Sequence, residues 1–329
     1  MHRVLLVGAG SIGDRHARCF LSTGRAEVGV CELSDATRES IAGRYDFCGI
    51  YTSLDSALQE SWDAAVVATP AHTHIPIALE LARSGIHLLI EKPLSTSMDR
   101  VIDLLSEVDA QGLTAGVGYS HRANPAAYAM KEAIDEKRFG TPLELNVSTG
   151  QSFATYRPGY RDVYFADRAQ GGGAIQDALT HLLNLGEWFV GPIDRVVADA
   201  THQQLEGVTV EDTVHTLARH GTVLANYVVN LYQQPNEFSA TVVCERGTVR
   251  YELHKHRWRW MNEVDGAWND EVFDIPDRDA GYIRQANVFL DSVEGNGAPL
   301  CTLEEGIQTL RVNLAVLSSV DSEKWESIS

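Results

Sequence analysis

Val4-Leu5-Leu6-Val7-Gly8-Ala9-Gly10-Ser11-Ile12-Gly13 runs from a short apolar segment through three glycines into an amphipathic stretch, Ser11–Leu21. That order, a strand, then Gly-x-Gly-x-x-Gly, then a helix, gives each glycine a separate task. The first permits a tight turn, the second lets the backbone approach a pyrophosphate, and the third lets helix and strand pack closely, with the helix N-terminus facing the phosphates. Alone the string is a weak signal. Its setting strengthens it: Glu32 follows the next apolar run, Glu27–Val30, and lies 19 residues after Gly13, where a carboxylate hydrogen-bonds the ribose hydroxyls of NAD.

Working outward, strands are expected at Arg3–Val7, Glu27–Val30, Ala64–Ala68, His87–Ile90 and Thr114–Val117. The stretches between them, His74–Arg83 and Met98–Ala110 among them, carry apolar residues at helical spacing; Ile75, Ala78, Leu79 and Ala82 form one such stripe. Alternating strands and helices predict a doubly wound parallel sheet, a Rossmann domain over residues 1–122. Beyond Tyr119 the texture changes. A helix Pro125–Lys137 capped by Asn124 is expected, then a strand Leu143–Val147, an irregular segment Ser152–Gln170, and an apolar helix opened by Gly171-Gly172-Gly173 and ended near Gly191-Pro192. From Arg195 to about Phe273 strands follow one another, for instance Val223–Val229, Ser239–Cys244 and Thr248–Leu253, before two final helices, Ala280–Val293 and Leu303–Leu317. Residues 123–329 therefore read as an α+β domain with a large open antiparallel sheet, whose apolar face needs a cover and so predicts a homo-oligomer.

The 329 residues suffice for two buried cores, and 44% hydrophobic with 22% charged residues is a globular composition. Lys+Arg 27 against Asp+Glu 45 gives a net charge of -18, which repels nucleic acid and anionic membrane surfaces. Cys19, Cys31, Cys48, Cys244 and Cys301 are scattered without a CxxC pair and read as buried reduced thiols. The histidines form no metal set, and no metal is expected. Without a signal-peptide core or a run of 18 apolar residues, the expected location is cytoplasmic.

Two further motifs carry chemistry. Glu91-Lys92-Pro93 stands at the C-terminal end of the His87–Ile90 strand, the edge where open α/β sheets place ligands. A lysine there can hold positive charge over an oxygen that gains negative charge, although a solvated lysine before a helix gives the same tripeptide. Asp177 and His181, four residues apart in the apolar helix, share one face with Asn184, either as a site or as a core pair satisfying each other.

Together with Ala68-Thr69-Pro70-Ala71-His72, the stretch Tyr119-Ser120-His121-Arg122-Ala123-Asn124-Pro125 and the closing Thr302-Leu303-Glu304-Glu305-Gly306, these motifs resemble the glucose-fructose oxidoreductase / inositol dehydrogenase (Gfo/Idh/MocA) family. The resemblance implies an NAD-dependent dehydrogenase in which Lys92, Asp177 and His181 surround the reacting carbinol of a sugar, sugar acid, nucleotide sugar or cyclitol. It also implies sheet-to-sheet homodimers or homotetramers. His181 would be general base, Lys92 would stabilise the alkoxide, and Asp177 would position the hydroxyl and His181. Expected cofactor contacts are Gly8, Gly10, Ser11, Ile12, Gly13, Glu32, Ala68, Thr69, Pro70, His72, Glu91, Lys92 and Tyr119. Expected substrate contacts are Lys92, His121, Arg122, Tyr156, Arg157, Tyr160, Arg161, Tyr164, Asp177 and His181. The arginines and tyrosines of Tyr156–Tyr164 suit a sugar bearing an acidic group, unless the arginines pair with Asp162 and Asp167. Two alternatives share the fold: a glycoside hydrolase that retains NAD, and a non-catalytic sugar or NAD sensor, against which the intact Lys92, Asp177 and His181 argue.

Overall fold

The computed structural model describes residues 1–274 and 277–328. The chain forms two compact units, Met1–Ala123 with Pro276–Ile307, and Asn124–Ile275 with Gln308–Ser329. A single break after residue 122 omits the return of Pro276–Ile307 to the first unit. Helical periodicity explains the omission, since it marks a buried face without naming what covers it.

In the first unit β1 (His2–Val7), β2 (Ala26–Cys31), β3 (Gly49–Tyr51), β4 (Ala64–Val67), β5 (His87–Ile90) and β6 (Ala115–Val117) pair in the order β3-β2-β1-β4-β5-β6. Every pair is parallel, and the strand order reverses between β1 and β4, the Rossmann arrangement. Val4–Val7 and Ala64–Val67 are buried throughout, which is why these strands read as unbroken apolar runs. The sequence reading missed β3, whose three residues include no fully buried one and so leave no apolar pattern.

Register positions the site. Val7 pairs with Cys31 on one side and Val67 on the other; Val67 pairs with Ile90, and Ile90 with Val117. The next residues, Gly8, Glu32, Ala68, Glu91 and Gly118, therefore leave the sheet together at its carboxyl edge. The helix Ala280–Val293 belongs to this unit, where Phe289 meets Phe20 edge-on at 6.3 Å. Such an aromatic pair adds about 0.5–1.5 kcal/mol beyond its buried area.

The second unit contains β7 (Pro142–Ser152), β8 (Arg195–Thr201), β9 (Thr213–His220), β10 (Val223–Asn230), β11 (Tyr232–Cys244), β12 (Gly247–Glu252), β13 (Arg257–Met261), β14 (Asn269–Val272) and β15 (Glu326–Ser327). Among the described residues they form one sheet, β14-β13-β12-β11-β7-β10-β9-β8-β15. It is mixed, not antiparallel throughout as expected, because β7 and β10 run parallel; the long connection between them supplies the crossover a parallel pair requires. Leu145, Val147, Ala225, Tyr227, Val229, Ala240 and Val242 alternate onto one buried face, in one core with Met130, Leu182 and Leu183 from the helices Pro125–Asp135 and Thr180–Val190. The other face differs from the bare apolar surface expected. There Asn226 bonds Asn146, Arg250 donates to Thr241 at 2.9 Å and Arg259 to Asp270 at 2.7 Å, with Leu217 and Leu224 as exposed apolar residues.

Candidate active site

At the carboxyl edge of the first sheet the glycine turn has the geometry its order predicts. Gly8 adopts φ +92°, and a Cβ there would lie 2.8 Å from the Ala68 carbonyl oxygen. A Cβ on Gly13 would stand 2.0 Å from the Gly8 carbonyl oxygen, whereas one on Gly10 would meet nothing within 4 Å. Gly10 also caps the helix Ser11–Ser22 without a side chain, so the first N–H groups of that helix remain for an anion. Exposed Ser11 and half-buried Ile12 form its first turn. Glu32 reaches back to this turn. Its Oε2 accepts from the Ala9 N–H at 2.8 Å and its Oε1 from the Ser34 N–H at 2.8 Å, and each oxygen retains lone-pair capacity for ribose hydroxyls. An open approach at Gly10 beside an anchored carboxylate fits NAD.

The neighbouring loops are tied together from below. His74, expected on the surface or in a strand, is 1% exposed. Its Nε2 lies 2.8 Å from the Thr69 carbonyl oxygen and its Nδ1 3.1 Å from that of Pro93. Burial lowers its pKa, so the neutral ring donates to one of them at a time. Pro70 and His72 stand exposed above this tie, while Tyr119 is buried. Half-buried Lys92 precedes a cis bond to Pro93. Glu91 is buried against His16, Oε1 to Nε2 2.7 Å. Burial would raise its pKa, but the hydrogen bond from His16 and the charges of His16 and Lys92 hold the carboxyl below its ordinary range.

Two expected substrate contacts follow β6. His121 is half-buried, and burial together with the Lys92 charge brings it down to about 4, so it is neutral near pH 7. Arg122 has a different use from the one expected. It is 2% exposed, pairs with Glu305 at 2.7 Å and donates to the Leu300 carbonyl at 3.0 Å, which ties Leu300 and Glu305 to β6.

In the second unit the Gly-Gly-Gly helix opens as a π-turn, Ile175–Leu179, before the α-helix Thr180–Val190. Such turns concentrate at functional sites, and this one carries Asp177. Asp177 is 8% exposed and accepts from the Tyr164 hydroxyl at 2.8 Å; His181, one turn on, is half-buried. A Cβ on Gly172 would lie 2.5 Å from the Tyr164 carbonyl oxygen, so that glycine lets the tyrosine segment approach the helix start. Glu211, which sequence reasoning missed, accepts from the Ile175 N–H at 2.9 Å, and burial raises its pKa. Its distance in sequence left no signal. Asn184 continues the stripe only in sequence: it is 1% exposed and donates to Thr309 at 3.0 Å in the core.

The Tyr156–Tyr164 segment divides. Tyr156 and Arg157 are exposed. Tyr160 is 2% exposed, and its hydroxyl donates to the Glu206 carbonyl at 2.6 Å, as does Arg161 Nε at 2.8 Å. Arg161 also lies 4.6 Å over the Tyr160 ring. These two bond the Glu206 carbonyl, and Arg161 also meets the Glu206 carboxylate at 3.8 Å, so both hold the loop at Glu206.

Among the described residues no three His, Cys, Asp or Glu side chains gather as a metal set, and no helix is long and apolar enough to cross a membrane. Cys48 is exposed, unlike the other four cysteines, so the expectation that all are buried fails there.

Comparison with known proteins bears on the family and the fold. Residues 2–119 match the oxidoreductase family, NAD-binding Rossmann fold, and residues 128–250 match the GFO/IDH/MocA C-terminal domain. The chain is 30% identical over 282 residues to inositol 2-dehydrogenase 4 of Saccharopolyspora erythraea, covering 82% of this chain and 78% of that protein. It is 29% identical over 208 residues to an inositol 2-dehydrogenase of Rhizobium meliloti, spanning 59% of this chain and 60% of that protein. A levoglucosan dehydrogenase solved with NADH and levoglucosan superposes with TM-score 0.89 at 18% identity, over 99% of both chains, a likeness of fold. The fold and the glycine turn define an NAD-binding oxidoreductase. The chain belongs to the Gfo/Idh/MocA family.

Proposed function

We propose that this enzyme moves a hydride between nicotinamide and a secondary alcohol carbon of a sugar, sugar acid, nucleotide sugar or cyclitol. The observation that carries the reading is the register at the carboxyl edge, where Glu91 leaves β5 in the same row as Gly8 and Glu32 and Lys92 is the next residue. When bound, NAD supplies the carbon that accepts or returns the hydride. Gly8, Gly10, Gly13 and Glu32 would hold it.

Lys92 presents an ammonium to the substrate oxygen and stabilises it as the proton leaves. His181 takes that proton as general base, and Asp177, fixed by Tyr164, orients the hydroxyl. Neutral His121 adds no second positive charge beside Lys92. Exposed Tyr156 and Arg157 remain for a sugar face and an acidic group. A second copy of the chain would cover the outer sheet face at Leu217 and Leu224, which a light-scattering mass near that of one chain would contradict.

The test is a screen of cyclitols, sugars, uronic acids and nucleotide sugars for NADH formation, followed by His181→Ala and Lys92→Ala. Each variant should lose about 10²–10⁴ in kcat, with NADH affinity nearly intact. The losses should not multiply, since both groups act on one oxygen. Wild-type kcat in His181→Ala would place the base elsewhere.

A further inference from the structure

Nothing in the chemistry above uses His16, a buried imidazole on the helix that follows the glycine turn. Its Nε2 lies 2.7 Å from Glu91 Oε1, with the two side chains 1% and 6% exposed. The other carboxylate oxygen, Oε2, accepts from the Lys92 N–H at 3.0 Å. Gly118 completes the enclosure, because a Cβ there would stand 2.9 Å from Oε1. Tyr282 closes the imidazole side, ring to ring at 5.6 Å and nearly perpendicular.

We infer that His16 and Glu91 are a positioning pair for Lys92, joining the helix of the glycine turn to the backbone of the lysine through one carboxylate. The inference rests on Lys92 acting at the substrate oxygen. Glu91 is ionised and can only accept, so His16 carries a proton on Nε2 and donates it. Replacing such a buried pair with apolar side chains is often neutral for stability, so stability is a poor account of it. Its geometric effect is specific. With the Lys92 N–H held, the backbone from which the ammonium extends is fixed, and the helix that receives the cofactor phosphates shares the anchor. Removing either partner leaves the other buried and incompletely satisfied and frees the lysine backbone.

The experiment uses the full-length enzyme loaded with NADH. First, Lys92 acetylation by acetic anhydride is followed by peptide mass spectrometry, with exposed Lys137 as internal control. His16→Ala and Glu91→Ala should acetylate Lys92 several-fold faster, with Lys137 unchanged. Second, with the fastest substrate from the screen, His16→Ala should lose about 10–100-fold in kcat, the scale of a small misplacement, with KM and NADH affinity within about threefold. His16→Gln, whose amide can still donate to Glu91, should recover most of that loss, and it serves as the test variant if His16→Ala does not fold. In a Lys92→Ala background His16→Ala should have no further effect on kcat. Full activity in Lys92→Ala would remove the functional reading itself. An inactive Lys92→Ala alongside unchanged Lys92 acetylation in a folded His16 variant, or additive losses in the double variant, would overturn the pairing alone.

Discussion

Two glycines three positions apart in sequence, Gly10 and Gly13, give the sharpest test of the cofactor site. Replacing Gly13 by Ala sets a methyl group 2.0 Å from the Gly8 carbonyl oxygen, and even the tightest real Cβ contact needs 3.0 Å. Helix and strand must part by about 1 Å, and because the obstacle is backbone no rotamer relieves it. Overpacking of this kind costs about 1–3 kcal/mol, or about 2–12 °C in Tm for a domain of this size. Gly10→Ala is the opposite case. Its φ of -62° and ψ of -171° suit alanine, and no atom lies within 4 Å, so Tm should hold or rise slightly. The methyl would instead occupy the approach of the pyrophosphate, and 1–3 kcal/mol of steric cost corresponds to about a 5- to 150-fold weaker NADH dissociation constant. Thermal melting of the apo protein and NADH fluorescence titration separate the two effects. Wild-type NADH affinity in Gly10→Ala would refute the placement of the pyrophosphate, and a wild-type Tm in Gly13→Ala would refute the close approach.

Glu32 should make NAD preferred over NADP by about a hundredfold or more, since a 2'-phosphate would face its carboxylate; equal dissociation constants for the two cofactors would sink that role. For His121, the folded pKa of about 4 lies below the ordinary value of 6.5, so between them the unfolded chain binds a proton that the folded chain does not. Stability should be complete above pH 6.5 and fall as the pH drops toward 4. The loss is at most about 3 kcal/mol, less as far as water reaches the half-buried ring, and urea melts of wild type and His121→Asn across that range should converge at the acid end. Tyr164→Phe removes a hydrogen bond to a carboxylate worth about 1.5–3 kcal/mol, so kcat should fall about tenfold or more with NADH affinity unchanged. A kcat equal to wild type would mean that Asp177 does not depend on Tyr164.

What the sequence disclosed followed periodicity and punctuation. β5 and the helices His74–Arg83 and Ala280–Val293 have the limits that apolar spacing gives them, and the glycine turn, Glu32 and Lys92 were legible because each closely follows an apolar run that forms a strand of one parallel sheet, which puts them at the same sheet edge. Contacts made across long sequence distances were not. Glu211 at the start of the Asp177 helix, His16 against Glu91, Arg122 against Glu305 and Tyr160 against Glu206 each join residues whose local sequence carries no trace of the other partner. The parallel pairing of β7 with β10 was hidden for the same reason, since strand direction depends on the route of the chain between them. The π-turn at Asp177 was hidden too, because its apolar spacing is indistinguishable from that of the α-helix that follows.

The return of Pro276–Ile307 to the first unit has a consequence for how the protein is made. The ribosome synthesises the glycine turn and all six strands of the cofactor sheet before it reaches Ala286, Phe289 and Leu290, which share a core cluster with Leu6, Ala17 and Phe20. Arg18 likewise waits for Asp279, and Arg25 for Asp291 and Glu294. A nascent chain paused near residue 122 would carry an uncovered apolar patch along the helix Ser11–Ser22, a surface suited to a holding chaperone. Order of synthesis and order of completion are thus reversed: the segment translated first is sealed only after most of the second unit has emerged.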